Sequence, residues 1–343
     1  MHTDDSVVRR KQAVPTAHAL PVELYHEIFG HVKSRRDLCS LIRISRFHQP
    51  LVARFLYHTV ELSKYSEHTE QFCKAILRTP YYGGLVVSLT IHGDNHYPVS
   101  LPDLECFRLW CNVACALRRL TRLETLHLVR LPQVYTWILK KCSFSLKELH
   151  CGHNKFDSDL LSFLNTQQRL SSIHWVVPDI CPSRGRPPPS FPKTLLAKKA
   201  LPALEKLVTN CPSLAVALVP GRPVHRLRIL SETVDETLTS TIASSTAPLL
   251  CLETHTPLSG TLLSDDTLRS LATLKDLRTL VLRDRVSRGI LLSLKDHCPS
   301  LEAVCCLFEG RLNDSGDYLR FPMAPVGKPQ RLRDSEVPLW KDA

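Results

Sequence analysis

Glycine is scarce in this chain, with 12 residues in 343, and tight phosphate-cradling or dinucleotide turns are built from glycine. No GxGxxG turn, P-loop, GxSxG elbow or HExxH helix occurs. The local signatures of nucleotide binding, serine hydrolysis and zinc proteolysis are therefore missing. A run of about eighteen apolar residues is missing too, so no membrane span is expected. The opening MHTDDSVVRRKQAVPTAHA has no apolar centre, and no secretory signal is expected.

Cysteine, by contrast, is plentiful, with 13 residues. In a chain without an expected signal these read as reduced thiols, which places the protein in the cytosol or nucleus. His150-Cys151-Gly152-His153 gathers candidate ligands, and Cys111 and Cys115 stand one helical turn apart. A zinc site needs four ligands in paired short spacings, and no second such pair joins either group. Cys151 and Cys305-Cys306 fall on strand positions, where cysteine packs as a small hydrophobe. His127, His174 and His255 lie beside strand positions, where a lone histidine is ordinarily a surface or satisfied core group. No metal and no cofactor are expected. A Cys–His hydrolase with partners distant in sequence stays open as an alternative, but the expectation is a protein that does no chemistry itself.

An apolar fraction of 43 % is ordinary for a folded protein, and the length suits one small and one large domain. The net charge of +11 is uneven: residues 181–230 carry +8, 1–50 and 51–180 carry +3 each, and 231–343 carry −3. The basic stretch suits an acidic partner or nucleic acid. Its few aromatics leave little to stack on bases, so a solvated loop face is the simpler reading.

Residues Leu20 to Leu62 are the most informative segment. Leu20, Leu24, Ile28 and Val32 recur every four residues and Phe29 widens the stripe, so the spacing predicts a helix with Pro21 at its first position. The basic break Lys33–Arg36 interrupts it. Asp37 is placed to cap a second helix carrying Leu38, Leu41 and Ile42, and Pro50 opens a third with Leu51, Val52, Phe55 and Leu56. About forty residues cannot bury a good core alone, and a segment with this much apolar surface commonly lends some to a partner.

This segment resembles the F-box, specifically the F-box-like domain of fungal proteins with leucine-rich tails. The matching residues are Leu20-Pro21-x-Glu23-Leu24, Ile28-Phe29-x-x-Val32, Arg36-Asp37-Leu38, Leu41, Ser45-Arg46, Pro50-Leu51 and Leu56-Tyr57-x-Thr59-Val60. Phe47 and His48 occupy the neighbourhood in which the family usually carries an aromatic. The resemblance implies docking to a Skp-type adaptor on a cullin scaffold in a RING ubiquitin ligase. The residues it implies for that contact are Leu20, Pro21, Leu24, Ile28, Phe29, Val32, Leu38, Leu41, Ile42, Ser45, Pro50 and Leu51.

Beyond residue 80 the chain repeats itself. The pattern Leu-x-x-Leu-x-Leu, with other apolar residues admitted, starts at 86, 123, 146, 170, 204, 224, 249, 277 and 301. Most spacings fall in the 20–29 window of leucine-rich repeats. Helical periodicity fills the intervals at 102–117, 132–141, 157–165, 232–243, 265–274 and 288–297. A doubly wound sheet alternates similarly but lacks support from a glycine-rich first turn. Val177–Pro192, VPDICPSRGRPPPSFP, holds neither a helix nor a central strand. It reads as an exposed loop, with Arg184, Arg186 and nearby Lys193 as candidate target-binding residues.

The expected fold is therefore α/β: a short N-terminal three-helix F-box-like module followed by a curved leucine-rich-repeat-like solenoid with parallel strands. Its expected parts are a disordered 1–17, the F-box-like 18–62, the solenoid 63–308 with its loop at 177–192, and a cap and tail at 309–343. The expected function is a substrate-recognition adaptor of an SCF-type cullin-RING ubiquitin ligase that holds an unknown target on its repeats. A protein-interaction scaffold unrelated to ubiquitin, and nucleic-acid binding through 181–230, remain the alternatives.

Overall fold

The computed structural model describes residues 20–44, 46–63, 67–93, 104–129, 131, 133–152, 157–177, 196–197, 199–230, 236–254, 265–282, 288–307, 317–323 and 330–333. Segment 1–17, Ser45, the Pro-rich stretch from 178 to 192 and Lys193 lie outside these residues. The chain divides into two compact units, Met1–His58 and Thr59–Ala343.

The first unit contains α1 (Val22–Gly30), α2 (Arg35–Ile44) and α3 (Gln49–His58). Pro21 stands just ahead of α1 rather than inside it, and its carbonyl accepts from the Leu24 and Tyr25 N–H groups. The α2 cap is Ser34, whose hydroxyl accepts from the Asp37 N–H at 3.3 Å. Asp37 sits within the first turn instead, where a carboxylate favours the positive end of the helix dipole. Pro50 lies in the first turn of α3, where its missing N–H costs no helical bond. Phe29, Leu38 and Val52 form the core, with Tyr25, Val32, Leu41, Ile42, Leu51, Phe55 and Leu56 packed around it. Arg35 Nη2 donates to the Leu56 carbonyl at 3.1 Å, tying the start of α2 to the end of α3.

The second unit is mixed α/β and built on one twelve-stranded sheet whose strands lie in sequence order. They are β1 (Thr59–Ser63), β2 (Ser88–His92), β3 (Thr125–Val129), β4 (Glu148–Cys151), β5 (Ser172–Trp175) and β6 (Lys206–Thr209). β7 (Arg226–Ile229), β8 (Cys251–Thr254), β9 (Thr279–Leu282), β10 (Ala303–Leu307), β11 (Asp317–Pro322) and β12 (Gln330–Arg333) complete it. Each of the nine starts read from the sequence is followed two residues later by a strand, β2 through β10. β1 to β10 pair in parallel, and β10, β11 and β12 pair antiparallel. Two stretches join the sheet from outside the repeats. Residues 59–62 lie in the segment read as the exit of the helical module but form most of β1. The last two strands come from the stretch read as cap and tail.

Parallel neighbours need crossovers, and the described crossovers include α4 (Glu67–Arg78), α5 (Pro80–Gly83), α6 (Leu104–Leu117), α7 (Ser158–Thr166) and α8 (Pro212–Leu218). α9 (Glu236–Ile242), α10 (Asp265–Ala272) and α11 (Arg288–His297) follow. The interval 132–141 holds a 3-10 helix, Gln133–Leu139, in place of an α-helix. Tyr135 and Ile138, three residues apart, are both buried there, which a three-residue turn allows. Because crossovers keep one hand and the strands advance in one direction, the connections share one sheet face. That face receives the leucines: Val60, Leu89, Leu126, Leu149, Ile173, Leu207, Leu227, Leu252, Leu280 and Val304 are in register across ten strands and all buried.

The turn after α8 depends on one cation. Gly221 lies at φ 71°, a conformation glycine adopts without penalty, and Arg222 behind it is only 2 % exposed. Its guanidinium donates to the carbonyls of Ala200 at 2.9 Å, Leu218 at 2.8 Å and Pro220 at 3.2 Å. Arg222→Met removes these donors and leaves buried acceptors unpaired. The expected loss is on the order of 3 kcal/mol of unfolding free energy in urea titration, and an unchanged midpoint contradicts this account.

Candidate functional site

Helix α1 carries apolar side chains on two sides. Tyr25, Phe29 and Val32 turn into the core of the helical unit, and Phe29 is 4 % exposed. Leu24 and Ile28 lie one turn apart on another side, with Leu24 at 43 % and Ile28 at 48 % exposure, and Leu20, just ahead of the helix, is exposed too. Val22, Ile44 and Phe47 are exposed as well. Single exposed leucines are unremarkable, but several together on one helix and its lead-in are a surface fit to be covered.

The residues implied for adaptor contact therefore divide. Leu20, Pro21, Leu24, Ile28 and Pro50 are exposed. Val32, Leu41, Ile42 and Leu51 are half-buried around the core, and Phe29 and Leu38 lie inside it, where they hold the helices together. Ser45 lies outside the described residues, as do Arg184, Arg186 and Lys193.

The second candidate surface is the sheet face opposite the leucines. Alternate strand residues point to it, and the register collects one row from strand to strand. Starting at β1 the row reads Glu61, Thr90, His127, His150, His174, Val208, Arg228, Glu253, Val281 and Cys305. Charges on this face are paired locally. Glu61 meets His92 at 2.6 Å, and Arg228 Nε meets Glu253 at 3.0 Å with Glu253 only 2 % exposed. Arg222 and Arg228, two of the nine cations of segment 181–230, are thus engaged inside the fold.

Three histidines distant in sequence meet in the middle of that row. The His127 and His150 rings stack with centroids 3.9 Å apart, and His150 and His174 lie 4.7 Å apart. Glu148, two residues before His150 on the same face, holds His150 Nε2 at 2.6 Å. Burial, and then the neighbouring His150, lowers the pKa of His127. Burial first, then His150 and His127, lowers that of His174 to about 4. The hydrogen bond from His150 lowers the Glu148 carboxyl. At neutral pH the site therefore presents neutral imidazoles at His127 and His174 beside an ionised carboxylate.

No local motif marks this cluster, because its histidines are separated by whole repeats. The repeat starts do contain the signal: His127, His150 and His174 each fall four residues after a start, at 123, 146 and 170, and so share a row. No family model matches the chain, and no curated protein matches it. No described helix is long and apolar enough to cross a membrane.

The buried cysteines among the described residues behave as packing groups. Burial pushes the thiols of Cys73, Cys142 and Cys251 up to about 12 and that of Cys305 up to about 11. Only a thiolate attacks an alkylating agent. At pH 8 iodoacetamide is expected to modify the exposed Cys39 and Cys115 in the native protein. Cys73, Cys251 and Cys305 are expected to react only in denaturant, as read by peptide mass mapping. Rapid native labelling of those three overturns the packing assignment.

Proposed function

We propose that the protein is a non-catalytic substrate-recognition adaptor of an SCF-type cullin-RING ubiquitin ligase. In this reading the helices of the first unit form an F-box-like module that docks a Skp-type adaptor, and the second unit is a leucine-rich-repeat-like solenoid that holds a target protein. The observation that carries it is the exposed pair Leu24 and Ile28, with Leu20 exposed just ahead, on a helix whose neighbouring side already supplies the unit's core. Those positions belong to the segment that resembles the F-box. The repeated leucine register and sequential parallel strands support the solenoid half of the reading. Work of this kind is positioning, and it needs no reacting group.

Binding through a short helical face is dominated by a few buried anchors. Leu24→Asp and Ile28→Asp each place a charge where the proposed partner desolvates it, at a cost of several kcal/mol. Because both side chains point away from the core, the two variants are expected to fold, with unchanged circular dichroism. Co-purification with a recombinant Skp-type adaptor is expected to fall at least about a hundredfold for each, which corresponds to about 3 kcal/mol. Retained binding in both variants removes the F-box reading. Absence of binding by the wild-type chain leaves the scaffold reading in its place.

A further inference from the structure

We propose that His127, Glu148 and His150 form a binding site for a divalent transition cation of the zinc class, with His174 on the next strand as the fourth ligand. The inference does not depend on the ligase reading.

The geometry comes from the sheet itself. Glu148 and His150 are residues i and i+2 of β4, so both project to the same face. His127 is the direct partner of His150 on β3, and His174 is its partner on β5. The donor atoms of His127, Glu148 and His150 all lie within 4.8 Å of one another. Zinc bonds of about 2.0–2.1 Å place tetrahedral donors roughly 3.3 Å apart. Small side-chain rotations therefore close the set, and the stacked rings of His127 and His150 must tilt toward a shared point.

A second observation points to a ligand. His127 Nε2 is buried and has no hydrogen-bond partner among the described residues. A polar atom withdrawn from water without a partner is costly, and a cation is a partner this nitrogen can take. The donor set also selects the ion. Three imidazoles and one carboxylate suit zinc, copper or nickel, whereas calcium and magnesium require mostly oxygen. Cys151 does not contribute, because it lies on the leucine side of β4 and is buried there. A site carried on three neighbouring strands of a packed sheet is rigid, as metal selectivity requires.

The test uses the full chain, stripped with a chelator and titrated with cobalt(II) as the probe. The expected result is a saturable visible d–d band at one equivalent, without the near-ultraviolet charge-transfer band of a thiolate ligand, and displaced by zinc. His127→Asn and His150→Asn are each expected to weaken cobalt binding by at least about tenfold. A missing band, a thiolate charge-transfer band, or unchanged affinity in both folded variants overturns the proposal. If the variants do not fold, zinc K-edge absorption of the loaded wild-type protein decides. A shell of nitrogen and oxygen alone supports the site, and sulfur in the shell overturns it.

Discussion

The second unit depends on one repeated backbone contact. Just ahead of a strand, a single carbonyl accepts two N–H groups from the chain entering the next strand. Val87 receives Glu124 and Thr125, Glu124 receives Lys147 and Glu148, and Lys147 receives Ser171 and Ser172. The series continues through Ser171, Glu205, His225, Leu250 and Arg278, with distances of 2.7–3.1 Å. Each acceptor belongs to the previous repeat, so each strand takes its register from the one before. Side-chain amides do the same work elsewhere: the buried Gln167 accepts from the Leu146 N–H and donates to the Phe144 carbonyl. Asn210 both accepts from and donates to the backbone of Val177.

A locked register decides which side chains meet. In a strand a slip of one residue turns the whole apolar set to the wrong face. With the slip prevented, the leucines of ten strands form one buried row, and the residues between them form another on the opposite face. Each strand pairs with its neighbours in sequence, and the row is buried along all ten. The opposite face is half-exposed from β2 to β5 and buried at Val208, Glu253, Val281 and Cys305 further along. It holds the contact of Glu61 with His92, the ion pair of Arg228 with Glu253, and the histidines of three strands.

The helical unit solves a different problem. Three short helices have too little interior to bury every apolar side chain they carry. Phe29, Leu38 and Val52 take the centre, and Leu20, Leu24 and Ile28 remain outside. The stripe at residues 20, 24, 28 and 32, which reads as one face, is divided by the helix between interior and exterior. Phe29, adjacent to that stripe, became the most buried residue of α1. Periodicity gives the angle between side chains, but the neighbouring helices choose which angle points inward.

Sequence by itself determined the repeat positions, because an inward-facing strand leaves a fixed apolar spacing and every strand from β2 to β10 needed one. It also determined the three short helices and their breaks, since Pro21, the basic break Lys33–Arg36 and Pro50 mark them locally, although the cap of the second helix proved to be Ser34 and not Asp37. It did not disclose β1, whose five residues follow directly from a helix, or the antiparallel pair that ends the sheet, whose charged residues carry no leucine pattern. Nor did it disclose α8, the 3-10 turn or the histidine cluster. His127 and His174 read as lone histidines, and His150 as part of the local group His150-Cys151-Gly152-His153, because nothing in their local spacing connects the three. Only the tertiary register, set by hydrogen bonds between repeats, placed residues 23 and 24 positions apart within a ring's width of each other.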